Sequence, residues 1–386
     1  MKTILFIHQS ADLYGSDKTL LFLVESIKEE IIPIVVVPEE GPLTVELRKI
    51  DIEVLIIPVI KVSRELIASF KFFTIPFQVF KAIKILKKKL NNRKIDIVHS
   101  NTVAVFLGAF YSKLYKIKHV WHVHEIIKHP KIAAKTYPFL VDKFSDRVIF
   151  NSKASAEQLY SGKPNLKSKS RIIYNGLDRD ISFSSIDEKT KLRKSLFNAM
   201  NKSSLLIGLV GRINRHKGQN LLLNTFNELK KEGVENIYLL FIGSTIKSQA
   251  FLLEELKNEI KNKKLQNFVK IIGFQKEIWK YYDALDIVLV PTTDPEPFGL
   301  VAVEGMLSEK PVIAANHGGL KEIVIHNKTG LFFEPNDSSE LKKAILNLVN
   351  NKNLISSFGK KGAERAKNKF SLREYVNNFK DFYEAF

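Results

Sequence analysis

Residues 286–305 read DIVLVPTTDPEPFGLVAVEG. Asp-Ile-Val-Leu-Val-Pro is a short, nearly continuous apolar strand, Thr-Thr-Asp-Pro-Glu-Pro a loop, and Phe-Gly-Leu-Val-Ala-Val-Glu-Gly the opening of a helix. Pro295 and Pro297 forbid continuation of the strand and stiffen the loop around Glu296. A helix beginning near Phe298 or Gly299 leaves its first N–H groups unpaired and turned outward, which suits an anion. Glu304 falls about a turn further in, on the face of Leu300. Two carboxylates then flank an anion site of diphosphate size at the C-terminal end of a strand, where open α/β sheets bind ligands. A carboxylate accepts paired hydrogen bonds from a diol, so both glutamates suit sugar or ribose hydroxyls. The same pattern also reads as a helix N-terminus stabilised by acidic neighbours. On the residues alone both readings stand.

Outward from this stretch the strand–loop–helix pattern repeats. Strands are expected at Thr3–His8, Ile34–Val37, Val54–Pro58, Ile95–His99, Val120–Val123, Val148–Asn151 and Arg171–Tyr174. A second series is expected at Leu205–Val210, Tyr238–Ile242, Val269–Ile272, Ile287–Val290 and Pro311–Ala314. These runs are rich in Val, Ile and Leu, as parallel strands buried on both faces require. Two series in one chain give two doubly wound α/β domains. The expected division is 1–175, a linker region 176–203, 204–370, and a C-terminal helix over 371–386 packing back on the first domain. Ser371 and Glu374 have the spacing of a capping box for that helix.

Composition bounds the chemistry. The 386 residues contain no cysteine, which excludes disulfides and thiolate metal sites. The apolar run after Met1 is too short for a signal peptide, and no stretch approaches the roughly 20 apolar residues of a membrane span. A cytoplasmic enzyme is the expectation. The net charge is +19, with 28 Lys/Arg against 16 Asp/Glu in residues 1–175 and 32 against 25 in the remainder. Such a field attracts polyanions. No nucleic-acid-binding module is visible, and the paired glutamates would have no purpose in one, so no nucleic-acid partner is expected. The nine histidines show no metal-ligand spacing, and no bound metal is expected.

Residues 208–218 read GLVGRINRHKG. A strand ends at a glycine and a basic loop follows with Arg212, Arg215 and Lys217. The spacing is neither a Walker loop nor a dinucleotide fingerprint. Arg and Lys at a strand's C-terminal end can neutralise a diphosphate, the first as a planar fork and the second as a point charge.

The run GRINRHKG with EPFGLVAVE resembles glycosyltransferase family 4, the retaining GT-B enzymes, whose E-x7-E signature matches Glu296 and Glu304. Tyr14-Gly15-Ser16, Asp96–Asn101, His124-Glu125, Ile172–Gly176 and Gly318–Glu322 resemble further landmarks in the same order, although the usual second glycine of the first loop is Ser16. The resemblance implies a GT-B fold: two Rossmann-like domains whose parallel sheets face each other across a cleft. It also implies a nucleotide-diphosphate-sugar as co-substrate, with no other cofactor, and a glycan or lipid-linked glycan as acceptor, in cell-surface polysaccharide synthesis. Arg212 and Lys217 would bind the diphosphate and Glu304 the ribose. Glu296 would contact the donor sugar near the reacting centre. Backbone N–H groups from Gly299 to Val301, Leu300 included, would meet phosphate or sugar, beside Phe298. Phe274 would lie near the base. Gly15 would let its loop approach the donor, and His124 would sit beside sugar and acceptor. His124 also reads as a satisfied core histidine, and His99 and His122 read as structural. An epimerase or sugar-phosphate synthase on the same scaffold is the alternative enzyme.

Residues 61–94 hold ten basic groups and one acidic, with phenylalanines at 70, 72, 73, 77 and 80. That suits an interfacial helix on anionic lipid at the inner face of a plasma membrane. A crossover helix with exposed lysines is the other reading.

Overall fold

The computed structural model describes residues 1–59, 75–128, 130–179 and 181–386. The chain forms two compact units, residues 1–176 with 372–386, and residues 177–371.

The first unit is built on a seven-stranded sheet: β1 (Lys2–Ile7), β2 (Ile31–Val37), β3 (Glu53–Ile56), β4 (Ile97–Ser100), β5 (Lys118–Val123), β6 (Arg147–Phe150) and β7 (Ser170–Ile172). Their order is β3-β2-β1-β4-β5-β6-β7, with parallel pairing. The inner strands are apolar on both faces because helices cover both. On one face Ile4, Phe6 and Val35 pack with Leu20, Leu23 and Val24 of the helix Gly15–Ile27. The helix Leu372–Glu384 adds Tyr375, Phe379 and Tyr383 to the same cluster. On the other face Leu5, Ile7 and Val98 pack with Ile83 and Leu86 of the helix Ile75–Leu90 and Tyr111 of the helix Phe106–Tyr115. Burying each such large side chain contributes about 1.5–3 kcal/mol.

The second unit has a six-stranded sheet: β8 (Leu205–Val210), β9 (Ile237–Ile242), β10 (Val269–Ile272), β11 (Ile287–Val290), β12 (Val312–Ala315) and β13 (Gly330–Phe333). The order is β10-β9-β8-β11-β12-β13, again parallel. The sheets are Rossmann-like in both units. β13 was not among the expected strands. It is a four-residue edge strand whose apolar run, Leu-Phe-Phe, is too short to register as a period.

Residues 177–203 fold as part of the second unit. The helix Ile186–Leu196 is capped reciprocally by Ser185 and Glu188. Arg179 forms a nearly buried two-pronged pair with Asp283, both bonds 2.8 Å. Arg193 donates to the Ala284 carbonyl at 2.7 Å.

In each sheet the strand order reverses once, between β1 and β4 and between β8 and β11. Helices leave in opposite directions there, so the loops at the C-terminal strand ends part and open a crevice.

Candidate active site

In the second unit the loops after β8 and β11 meet at the reversal. Thr293 N–H donates to the His216 carbonyl at 2.9 Å, and its hydroxyl to the Arg215 carbonyl at 3.1 Å. Asn214 Oδ1 accepts from the amides of His216 and Lys217, which turns the basic loop back on itself. Gly218 then begins the helix Gln219–Lys231 at φ +78°, where a Cβ would overlap the Pro291 carbonyl. Only glycine permits this approach, which joins the two loops.

That join brings Lys217 Nζ to 2.6 Å from Glu296 Oε2, with both side chains partly exposed. Lys217, Glu296, Gly299 and Val301 line one small pocket with Pro291 and Thr292. Gly299 is the N-cap of the helix Leu300–Leu307, with no side-chain cap bond. The Leu300 and Val301 amides therefore lie in the first helical turn, beside the Lys217–Glu296 pair. Glu296 is held by its backbone: its carbonyl accepts from Gly319 N–H at 2.8 Å. Gly318, at φ +59°, lies so close that a Cβ would overlap the Glu296 backbone.

Glu304 is nearly buried and accepts from the Tyr282 hydroxyl at 2.6 Å. Burial, followed by the charge of Glu304, raises the Tyr282 hydroxyl well above its usual pKa, so it remains a donor. Tyr282 is a site neighbour that the linear pattern did not reveal. Arg212 is half-buried at the end of β8, and its carbonyl accepts from Gln219 Nε2 at 3.1 Å. Phe298 turns its side chain into the core, edge-on to Phe370 at 5.7 Å between centroids. Phe274 follows the edge strand β10, is half-exposed, and does not line the pocket around Lys217. His216 pairs with Asp294 at 2.6 Å on the surface.

In the first unit the reversal between β1 and β4 carries a different set. His8, at the end of β1, places Nε2 2.7 Å from Asp17 Oδ1. Asn101, after β4, places Nδ2 3.1 Å from His8 Nδ1 and Oδ1 2.9 Å from His124 Nε2. His124 follows β5 and is nearly buried. Burial first, then the His8 ring, push its pKa down to about 3. Glu125 turns inward to Thr102 Oγ1 and to the amides of Val103 and His124. Burial outweighs these bonds and raises its pKa. Gly15 opens the helix Gly15–Ile27, and a Cβ there would meet nothing within 4 Å. His99 donates to or accepts from the Tyr383 hydroxyl at 2.7 Å. His99 Nε2 and both nitrogens of His122 are buried without a hydrogen-bond partner. Among the described residues no group of three His, Asp or Glu is arranged to hold a metal.

The sequence profile of Glycosyltransferase Family 4 matches residues 27–181, and that of Glycosyl transferases group 1 matches 189–365. A glycosyltransferase of Methanocaldococcus jannaschii is 29% identical over 310 residues, covering 78% of this chain and 79% of its own. The capsular polysaccharide biosynthesis glycosyltransferase CapM of Staphylococcus aureus is 28% identical over 226 residues, 57% of this chain and 56% of its own. Among solved structures, Anabaena HepE in complex with UDP-glucose superposes with a TM-score of 0.86 at 24% identity, over the whole of both chains. WaaG, a glycosyltransferase involved in lipopolysaccharide biosynthesis, gives 0.72 at 12% identity, over 97% of this chain and 99% of its own.

Proposed function

Because this chain belongs to the family 4 glycosyltransferases of GT-B fold, we propose that it moves a hexose-type sugar from a UDP- or GDP-activated donor to a glycan or lipid-linked glycan, with retention of configuration. The observation that carries the donor reading is the Lys217–Glu296 contact, 2.6 Å, at the open N-terminus of the helix Leu300–Leu307. A cation and helix amides serve the leaving diphosphate, while a carboxylate beside them serves sugar hydroxyls. The UDP-glucose bound by HepE supports a nucleotide-sugar donor, and CapM supports a polysaccharide product.

The chemistry is a substitution at the anomeric carbon. Its bond to the phosphate oxygen breaks, and the acceptor oxygen forms the new bond on the same face. The acceptor's proton passes to the departing phosphate oxygen. Arg212, Lys217 and the Leu300 and Val301 amides stabilise the charge that develops on that phosphate. Glu304, oriented by Tyr282, takes the ribose hydroxyls, and His124 takes a hydroxyl of sugar or acceptor. A thermal-shift panel of nucleotide-sugars tests this reading, because a bound donor stabilises the native state by mass action. No stabilisation by any UDP- or GDP-sugar overturns it. Turnover with a sugar phosphate as acceptor would instead favour a sugar-phosphate synthase.

We also propose a peripheral, cytoplasmic-face location on anionic lipid. Residues 61–74, with Phe70, Phe72 and Phe73, lie outside the described residues. Ile75–Leu90 packs on Phe106–Tyr115, which packs on Lys131–Phe144. Together these helices carry nine lysines and a single acid, Asp142, which is itself paired with Lys163 and Lys169. Phe77, Phe80, Phe110, Leu114, Ile132 and Phe139 are exposed among them. No described helix is long and apolar enough to cross a membrane, whereas basic and aromatic groups interleaved on a surface suit lipid headgroups. Flotation with anionic vesicles at low salt should retain the protein, and Lys84→Glu/Lys88→Glu should release it. Equal binding to neutral vesicles, or none to anionic ones, overturns the reading.

A further inference from the structure

We propose that Arg179 is a positioning residue for the donor's ribose: it ties the helix that carries Tyr282 to the helix that carries Glu304, and so sets the carboxylate that meets the ribose hydroxyls. The inference rests on Glu304 serving the ribose as proposed above.

The helix Trp279–Ala284 has six residues. A helix that short does not hold itself together in water, so the place of Tyr282 depends on what anchors the helix from outside. Arg179 anchors it at both ends. The guanidinium lies over the Trp279 ring at the start, 5.3 Å from its centroid, and takes both carboxylate oxygens of Asp283 near the end, each at 2.8 Å. The Phe183 ring lies against the same guanidinium at 4.0 Å. Arg179 is itself fixed, because Nε donates to the Ile181 carbonyl at 3.0 Å and Nη2 to the Ser182 carbonyl at 2.9 Å.

The same guanidinium reaches the second helix. Nη1, which donates to Asp283 Oδ1, also donates to Ser308 Oγ at 3.1 Å. A guanidinium has five N–H groups, and each of the five meets an oxygen. Ser308 is the C-cap of the helix Leu300–Leu307, and its amide donates to the Glu304 carbonyl at 3.1 Å. The contacts therefore close a circuit. Arg179 holds Asp283, the neighbouring Tyr282 donates to Glu304 Oε2 at 2.6 Å, the Glu304 backbone meets Ser308, and Ser308 returns to Arg179. Asp283 and Ser308 are each 1% exposed, so water does not stand in for these bonds.

A buried ion pair adds little stability over apolar residues of the same shape; what this one supplies is geometry. The last torsion of a glutamate is broad, and a bond to one carboxylate oxygen fixes the plane of both. A ribose presents two neighbouring hydroxyls at a set spacing, which such a plane can accept together. If either helix turns, Tyr282 and Glu304 part and the plane is lost. The effect of Arg179 is therefore felt at the ribose hydroxyls rather than at the diphosphate.

Calorimetric titration of the full-length protein with UDP and GDP, and with their 2′,3′-dideoxy forms, tests this. The unmodified protein should bind the ribose form of its preferred nucleotide at least about tenfold more tightly than the dideoxy form. Ser308→Ala cuts the tie to the Glu304 helix and leaves the Arg179–Asp283 pair whole. It should shrink that preference about 2- to 5-fold, by weakening the ribose form and sparing the dideoxy form. Tyr282→Phe and Arg179→Gln should each shrink it about tenfold. Arg179→Gln leaves Asp283 buried and unpaired, so where it does not fold, Ser308→Ala and Tyr282→Phe decide. An unchanged preference in folded Ser308→Ala, or equal weakening of both forms, overturns the proposal, because a merely structural bond has no reason to distinguish them. The two readings fail separately. If the unmodified protein binds neither UDP nor GDP, the functional reading falls and this inference with it. If it shows the ribose preference and Ser308→Ala and Tyr282→Phe leave it intact, the inference alone is wrong.

Discussion

The two units reverse strand order at the same place, and they fill that place with opposite chemistry. Between β8 and β11 the groups are ionic and partly exposed: Lys217 against Glu296, with Arg212 at the strand end. Between β1 and β4 they are buried: His8, Asn101 and His124, with the Asp17 carboxylate turned inward onto His8. The fold determines where loops part, and the loops determine what can bind there. An ionic crevice suits a diphosphate whose charge grows as the bond breaks. A set of buried hydrogen-bonding groups suits hydroxyls, whose charge does not change on binding.

The contrast can be broken most directly in the ionic crevice. Lys217→Ala and Glu304→Ala should each lose transfer, with Lys217→Ala falling by about 10²–10³ in turnover, while the circular dichroism spectrum stays that of the folded protein. Near-normal turnover in both would remove the ionic half of the comparison.

Acid should separate the units next. Burial lowers the pKa of His99 and His122 well below the ordinary value, that of His119 to about 4 and that of His124 to about 3. Below the unfolded histidine pKa of about 6.5 the unfolded chain binds protons that the native first unit refuses, so stability falls as pH drops. The loss should reach a few kcal/mol for each such histidine by about pH 4. In the second unit burial raises Asp283, but Arg179 and the Ser184 amide outweigh it and leave its pKa lowered. That carboxylate's contribution is intact above its unfolded pKa of about 3.9 and is lost only as pH falls below it. Hydrogen exchange near about pH 5 should therefore accelerate in β4 and β5 before β8 and β9; simultaneous loss would erase the distinction.

Smaller effects sharpen it. Gly318→Ala forces a side chain onto the Glu296 backbone at positive φ and should cost about 1–3 kcal/mol, read as a lowered denaturant midpoint. His122→Phe replaces a buried ring whose nitrogens have no partner. Its stability should be unchanged or higher by about 1 kcal/mol, with transfer retained. A large loss there would mean that His122 does more than pack against Phe379 and His99.

Much of this was legible in the sequence where neighbours in the chain decide the outcome. Among the described residues twelve of the thirteen strands follow from apolar runs, and the short edge strand β13 escaped. The glycines and prolines around Glu296 marked the loop that meets Lys217. What could not be read depends on strands that pair across long separations. Tyr282 meets Glu304 only in the folded unit, across 22 positions of the sequence, and neither residue stands in a pattern with the other. Asp17 stands in no pattern that the sequence shows, and His8 reads only as the end of a strand. Their connection to Asn101 and His124 exists only once β1, β4 and β5 lie side by side.

The helix Leu372–Glu384 completes the core of the first unit although it follows the whole of the second in the chain. During translation, at about 5–20 residues per second, the ribosome spends roughly 10–40 s on residues 177–371 before that helix emerges. Throughout that interval the face carrying Phe6, His99 and His122 is without Tyr375, Phe379 and Tyr383. The core of the nascent first unit thus stays unfinished on that face, and its completion is timed by the synthesis of its neighbour.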